Sequence, residues 1–386
     1  MARRWVVRLT VLASSLALAA CGDQNAASPA PPAFDLRNAL AGGDTAGFAR
    51  ATEPPRLEFP RDHGPHEAFR TEWWYWTGNV ATDAGRAFGF ELVFFRQALA
   101  PPGAPPRAAS LASREVVLAH AALTDVDGRR FRFAERSLRR DGVRAGTELG
   151  SGRLQLWCGD WTATATAGGD GFVPMQLQAG GSEFAFELEL GPGKPLVLHG
   201  DAGRSPKSSA PGNASIYYSA TRLPCRGVVT LSGRRFDVAG LAWCDREWST
   251  SALGDGQVGW DWFSLQLDDG TELMWYRLRF AAGTEDPHSQ GTFVSVDGVA
   301  RRLLAGDLRA TPRGEWRAPD GRAVYPAAWH LAAPSLALDV DVTPRVADQE
   351  LRTSVRYWEG AVTVRGTRSG ANVAGSGYLE MTGYAK

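Results

Sequence analysis

Residues 72–99 read EWWYWTGNVATDAGRAFGFELVFFRQAL. Aromatic and apolar side chains crowd both halves, and Asp83-Ala84-Gly85 lies between them. Apolar runs of this length around a turn former predict strand, turn, strand. Residues 116–137, VVLAHAALTDVDGRRFRFAERS, repeat the arrangement around Asp127-Gly128. Further strand-like runs are RLQLWCGDWTATATA, EFAFELELG, ASIYYSATRL, ALDVDVTPRV, SVRYWEGAVTVRGTR and GSGYLEMTGY. Many short strands joined by Asp-Gly turns predict an all-β chain of sandwich or barrel type. Helical patterning is confined to one short, interrupted stretch at 35–50.

A faint repeat divides the chain. Residues 74–96 (WYWTGNVATDAGRAFGFELVFFR) resemble residues 260–279 (WDWFSLQLDDGTELMWYRLR). Each is an aromatic-rich strand, a turn, and an apolar strand ending in Arg: Arg96 in the first, Arg277 and Arg279 in the second. Two related β domains are expected, at 57–238 and 239–386. A length of 386 residues fits that division.

The first residues carry a different signal. Arg3, Arg4 and Arg8 precede an apolar run from Leu9 to Ala20 that is short for a bilayer span. The run ends in Leu18-Ala19-Ala20-Cys21, the pattern of a bacterial lipobox. Residues 1–20 are therefore expected to be a signal peptide, with lipidation at Cys21. Residues 21–56 then serve as a tether, and the protein faces the periplasm from the cell envelope, attached to a membrane by acyl chains. Cys158, Cys225 and Cys244 remain, and an oxidising compartment would permit one disulfide among them, with the pairing open.

Composition narrows the partners. Basic and acidic residues balance at 42 each, which gives no electrostatic reason to expect nucleic acid. Lys is scarce, and Arg supplies nearly all the positive charge. The 14 Trp exceed what a core of this size needs, and aromatic side chains also line sites for apolar ligands. No phosphate-binding loop, dinucleotide fingerprint or nucleophile elbow occurs, and no cofactor is expected. The loops 101–113 and 200–213 are rich in turn formers and read as solvent loops, with lids at a barrel mouth as the alternative.

Strand alternation groups the chemistry. Glu72, Trp74 and Trp76 share one face, as do Trp243, Asp245 and Glu247. Tyr357 goes with Glu359, and Tyr378 with Glu380 and Thr382. Carboxyl groups on aromatic faces suggest a barrel interior that binds an apolar, elongated ligand. Desolvation keeps such a carboxyl protonated, and aromatic faces stabilise a cation formed nearby. These are the parts needed to protonate an alkene and add water. Asp245, Glu247 and Glu72 are the catalytic candidates. Trp74, Trp76, Trp243, Trp260, Trp262, Tyr357 and Tyr378 are the ligand-binding candidates. His66 and His199 are assigned to the pocket mouth. The H-x-x-H of His63 and His66 lacks the helix that would place both rings on one face, so no metal is expected there.

The motifs FPRDHGPHEAFRTEWWYWTGN, LVLHGDAGRSPKSS, LAWCDREWS, YWEGAVTVRG and GYLEMTGY occur in order over residues 57–386. In these motifs the chain is similar to the AttH / carotenoid 1,2-hydratase (CrtC) family of lipocalin-like proteins. The resemblance implies two tandem lipocalin-like β-barrels. For the carotenoid branch it implies cofactor-free, acid-catalysed hydration of a terminal alkene, with an Asp as the acid. The matching position is Asp245, in Trp243-Cys244-Asp245-Arg246-Glu247-Trp248, where AttH relatives often read W-M-D-H-E-W. Arg246 beside it would favour an ionised Asp245. The lipobox fits the AttH branch better, which makes a membrane-anchored binder of a lipid- or isoprenoid-like molecule the leading expectation. A hydratase and an accessory subunit of an ABC transporter permease are the alternatives.

Overall fold

The computed structural model describes residues 45–105, 114–251 and 253–385. The expected signal peptide, Cys21 and most of the tether lie outside these residues, as do 106–113 of the first loop. Residues 45–50, the described end of the expected helix, form a turn and bend. Among the described residues, helical structure is limited to two three-residue 3-10 turns, Arg61–His63 and Pro334–Leu336. No helix there is long and apolar enough to cross a membrane.

Strands form where the sequence predicts them. Thr71–Ala81 pairs with Ala87–Ala98, with Tyr75 opposite Val93 and Glu72 opposite Arg96. Gly85 closes the turn at a φ of 83°, a conformation that costs other residues energy. Gln257–Leu267 and Glu272–Phe280 form the corresponding hairpin in the second half, with Gly270 also at 83°.

Among the described residues the strands make two antiparallel sheets, one of thirteen strands and one of ten. Each follows chain order and then returns to its own start. In the first, Thr71–Ala81 pairs on its other edge with Arg234–Ser249, the last strand of that sheet. In the second, Gln257–Leu267 pairs with Ala371–Met381, again the last. The one unpaired seam in each ring falls mid-chain: between Arg130–Arg139 and Ala145–Gly150 in the first, and between Ala300–Leu304 and Arg309–Arg317 in the second. The sheets are thus curled into two nearly closed barrels of lipocalin type, and the faint sequence repeat reflects their shared topology.

The division between barrels differs from the expected one. Arg234–Ser249 belongs wholly to the first sheet, and the second begins at Gln257. A boundary at 238/239 would cut through that strand. Asp245 therefore sits on the closing strand of the first barrel.

Both barrels are filled. Trp74, Trp76, Phe90, Leu92, Phe94 and Cys244 join one buried cluster inside the first. Phe263, Leu265, Trp275, Trp329 and Trp358 join another inside the second. A third cluster, with Tyr75, Val93, Tyr217, Trp243, Trp262, Tyr276 and Tyr378, draws on strands of both barrels and packs their outer walls together. Cys158, Cys225 and Cys244 are all buried free thiols, so no disulfide joins them.

Candidate active site

The expected ligand site was a barrel interior. The aromatic cavity instead lies between the barrels. The first barrel supplies Trp73, Tyr75, Phe95, Tyr217, Asp245 and Glu247, and the second supplies Trp260, Trp262, Tyr276, Tyr357, Glu359 and Glu380. Its volume is about 70 Å³, several times what one water occupies. Strand alternation explains the location. Where one face of Thr71–Ala81 fills the barrel, the other carries Trp73 and Tyr75 outward against the neighbouring barrel.

Asp245 is 4% exposed and holds three hydrogen-bond donors. The Tyr217 hydroxyl donates to Oδ2 at 2.5 Å, and Trp243 Nε1 donates to Oδ1 at 2.6 Å. Ser219 Oγ, directly opposite in register, also donates to Oδ1. Burial pushes the Asp245 carboxyl up to about 7, while the hydrogen bonds from Ser219, Tyr217 and Trp243 oppose that rise. Behind Ser219, His199 Nε2 lies 2.7 Å from the serine oxygen, and its Nδ1 lies 2.8 Å from Thr292 Oγ1. Burial, with Lys207 nearby, lowers His199 to about 3 and keeps the ring neutral. Arg246 does not pair with Asp245; it points into the first barrel.

Across the cavity stand the carboxyls of the second barrel. Glu359 and Glu380 are directly opposite each other on adjacent strands. The Tyr75 hydroxyl donates to Glu359 Oε1 at 2.5 Å, and Glu359 Oε2 has no partner. Burial, then repulsion from Glu91 and Glu380, holds Glu359 well above the ordinary range. Burial raises Glu380 to about 8, and does the same to Glu91 on strand Ala87–Ala98 of the first barrel. Glu91 accepts from the Tyr357 hydroxyl at 3.1 Å, and Tyr357 is also 2.7 Å from His120 Nδ1.

Lys207 places one cation at the edge of this group. Its ammonium is 3.1 Å from Glu247 Oε1 and 3.9 Å from the centre of the Tyr276 ring. Burial pulls its pKa down, but Glu247 and Tyr276 outweigh that and raise it, so the amine stays charged. Lys207 arrives from the 200–213 loop, which Arg204–Pro206 pins to Ala214–Leu231.

Comparison with known proteins places this architecture. An AttH-like family profile matches residues 50–384. The chain belongs to the AttH-like family. It is 33% identical to a protein assigned as an AttH from Nitrosomonas europaea, whose crystal structure aligns over 88% of this chain and all of its own, with a TM-score of 0.77. Kievitone hydratase from Nectria haematococca aligns over 88% of this chain and 97% of its own, at 15% identity and a TM-score of 0.67, a likeness of fold alone. By sequence, no curated protein matches the chain.

In this AttH-like protein the candidate residues separate into two groups. Asp245, Glu247, Trp260, Trp262 and Tyr357 line the cavity. Trp243 lies behind the wall, bonded to Asp245 and edge-on to Trp262, and Tyr378 packs in the layer between the barrels. Glu72, Trp74 and Trp76 are displaced from the expected site. Both Trp rings fill the first barrel, and Glu72 is a buried structural anion. Arg96 and Arg246 bind its two carboxylate oxygens, and together they outweigh the burial penalty and hold Glu72 well below the usual carboxylate range.

The histidines move as well. His66 is not at the cavity mouth; its ring stacks on Trp248 at 3.7 Å and takes a hydrogen bond from Arg246. His199 is 1% exposed and sits behind Asp245, so it is not a mouth residue either. Trp73, Tyr75, Tyr217, Ser219, Lys207, Glu359 and Glu380 join the site without being among the residues expected there. Alternation already put Glu359 and Glu380 on aromatic faces. For Lys207 the available signal was the rarity of lysine in the chain.

Proposed function

We propose that this AttH-like protein is a cofactor-independent hydro-lyase that adds water to a double bond of an apolar, unsaturated ligand held between its barrels. One observation carries this reading: buried carboxyl groups without a basic partner face an aromatic cavity. Desolvation favours the protonated form of such a carboxyl, which is what proton transfer to an alkene requires. The walls of Trp260, Trp262 and Tyr357 present π faces to the cation that protonation creates. The fold shared with kievitone hydratase is consistent with this chemistry. Asp245 on one wall, and Glu359 and Glu380 on the other, are the groups available for it, while Glu247 is paired with Lys207.

The test is incubation with two acyclic isoprenoids, geraniol and squalene, in ¹⁸O-labelled water. Wild-type protein is expected to form a labelled alcohol, and Asp245→Asn is expected to abolish it while keeping the fold. Full turnover by Asp245→Asn removes Asp245 from the mechanism. If wild type transforms neither probe, while native mass spectrometry shows an apolar molecule retained by the purified protein, the cavity is a carrier site instead. Cys21 would hold this activity at a membrane surface in our reading; fatty-acid labelling of the full chain, lost in Cys21→Ser, checks that part.

A further inference from the structure

The two walls of the cavity are chemically unequal. We infer that Glu359 is the proton donor of the reaction and Asp245 the carboxylate that receives a proton; this assignment rests on the hydro-lyase reading of the same cavity.

At Asp245 both oxygens already accept. Trp243 Nε1 and Trp262 Nε1 can only donate hydrogen bonds. Trp262 Nε1 donates to the Tyr217 oxygen at 3.0 Å, which leaves the Tyr217 proton free to point at Asp245 Oδ2. Ser219 likewise donates to Oδ1, and neutral His199 Nε2 lies 2.7 Å behind the serine oxygen. Every hydrogen bond to Asp245 thus favours the ionised form, and a proton placed there would have to displace one of them.

Glu359 has the opposite environment. One donor, Tyr75, reaches Oε1, and Oε2 is buried without a partner while the residue faces the cavity. Glu380 stands directly across the strand pair, where side chains are about 5 Å apart. Glu91 and Asp245 also repel a charge at Glu359, and the Tyr357 and Tyr75 hydroxyls complete its polar surroundings. Among the described residues no Lys, Arg or His forms an ion pair with Glu359, Glu380 or Glu91. Such carboxyls cannot all ionise together. A proton on Glu359 Oε2 gives that bare oxygen a bond to offer into the cavity. Burial raises all of these carboxyls, and at Glu359 repulsion from Glu91, Glu380 and Asp245 adds to it, whereas at Asp245 three hydrogen bonds oppose it.

The two groups are joined by one residue. Tyr75 lies directly opposite Asp245 in the first sheet, and its hydroxyl crosses to Glu359 in the second. The O–H bond of Glu359 breaks, and its proton bonds to one alkene carbon through the π pair. The other carbon, now cationic, bonds to a water oxygen. That water loses a proton to Asp245, giving the alcohol, and solvent exchange returns the proton to Glu359.

The assignment is testable without a substrate. The protein is labelled with ¹³C at Glu Cδ and Asp Cγ, and the carboxyl signals are followed by NMR against pH. Glu359→Gln and Asp245→Asn assign the two signals by their disappearance. We expect Asp245 to lose its proton at a proton concentration at least tenfold higher than Glu359 does. The reverse order overturns the assignment. If Glu359→Gln fails to fold, Tyr75→Phe replaces it: loss of the Tyr75 donor should move one Glu signal to higher midpoint pH, and no movement of any Glu signal counts against the assignment. Turnover of geraniol or squalene then separates the two readings. The expected NMR order with no wild-type turnover refutes hydro-lyase chemistry but leaves the protonation pattern. Turnover with the reverse NMR order refutes only the roles given to Glu359 and Asp245.

Discussion

Asp245 and Arg246 are adjacent in the chain, yet their charged groups leave the strand on opposite sides. Asp245 faces the cavity between the barrels. Arg246 enters the first barrel, lies 3.9 Å from the centre of the Trp74 ring and binds Glu72. Sequence proximity suggested that the arginine would hold Asp245 ionised. Strand alternation removes that pairing and leaves Asp245 to be governed by burial and by Tyr217, Ser219 and Trp243.

Arg246→Met is expected to cost about 3–5 kcal/mol in urea unfolding, because it strips one of two guanidinium partners from buried Glu72. The Asp245 midpoint should not move. Glu72 has a folded pKa below its ordinary 4.5, so its stabilising contribution is present above that value and is lost as pH falls toward the lowered one. The Tm gap between wild type and Glu72→Gln should therefore narrow on acidification from about pH 6 to about pH 3. A gap that widens on acidification rules this account out.

Glu380 carries the opposite sign. Its folded value of about 8 lies above the ordinary 4.5, so the folded state holds the proton more tightly than the unfolded chain. Its contribution is full below 4.5 and declines as pH rises toward 8. Glu380→Gln should gain on wild type over that interval by roughly 2–4 kcal/mol. Thermal melts at a series of pH values measure the difference. Parallel curves would show that Glu380 does not carry this linkage.

Lys207→Met leaves Glu247 buried without its cation. A loss of about 3–5 kcal/mol is expected near neutral pH. Adding Glu247→Gln should restore part of the stability. A double-mutant cycle by chemical denaturation gives the coupling between the two, and zero coupling would remove the ion pair from the account.

Neighbouring tryptophans should respond differently. Trp74→Ala empties part of the first barrel and should cost about 3–5 kcal/mol. Trp73 is half-buried at the cavity wall, so Trp73→Ala should cost roughly 1–2 kcal/mol less and should weaken binding of an apolar fluorescent dye several-fold. Equal dye affinity in Trp73→Ala and wild type would mean that the dye does not sample this cavity.

Much of the architecture was legible because it is local. The hairpin at 72–99 follows from strand patterning and from Gly85 in a left-handed turn. The repeat at 260–279 marks the opening strand of the second barrel, as 74–96 marks that of the first. The face of the aromatic strand that carries Asp245 and Glu247 was also identifiable, and it lines the cavity. The boundary at 238/239 was misplaced because nothing local tells a closing strand of one barrel from an opening strand of the next. Only its pairing with Thr71–Ala81 does so.

The sequence by itself determined the strands, their turns, and the sets of side chains that share a face. Glu72 was grouped with Trp74 and Trp76, and Asp245 with Trp243 and Glu247, and both groupings hold in three dimensions. Tertiary structure decided which set faces which space. Period two separates the faces of a strand but does not say which is inside, and here both faces are buried and aromatic: one in a barrel, the other against a second barrel. Packing of the two barrels put Asp245 across a cavity from Glu359, more than 100 positions away in the chain, and brought Lys207 from a loop to Glu247. Those meetings depend on long-range pairing and on the docking of two curved walls, for which neighbouring residues carry no pattern.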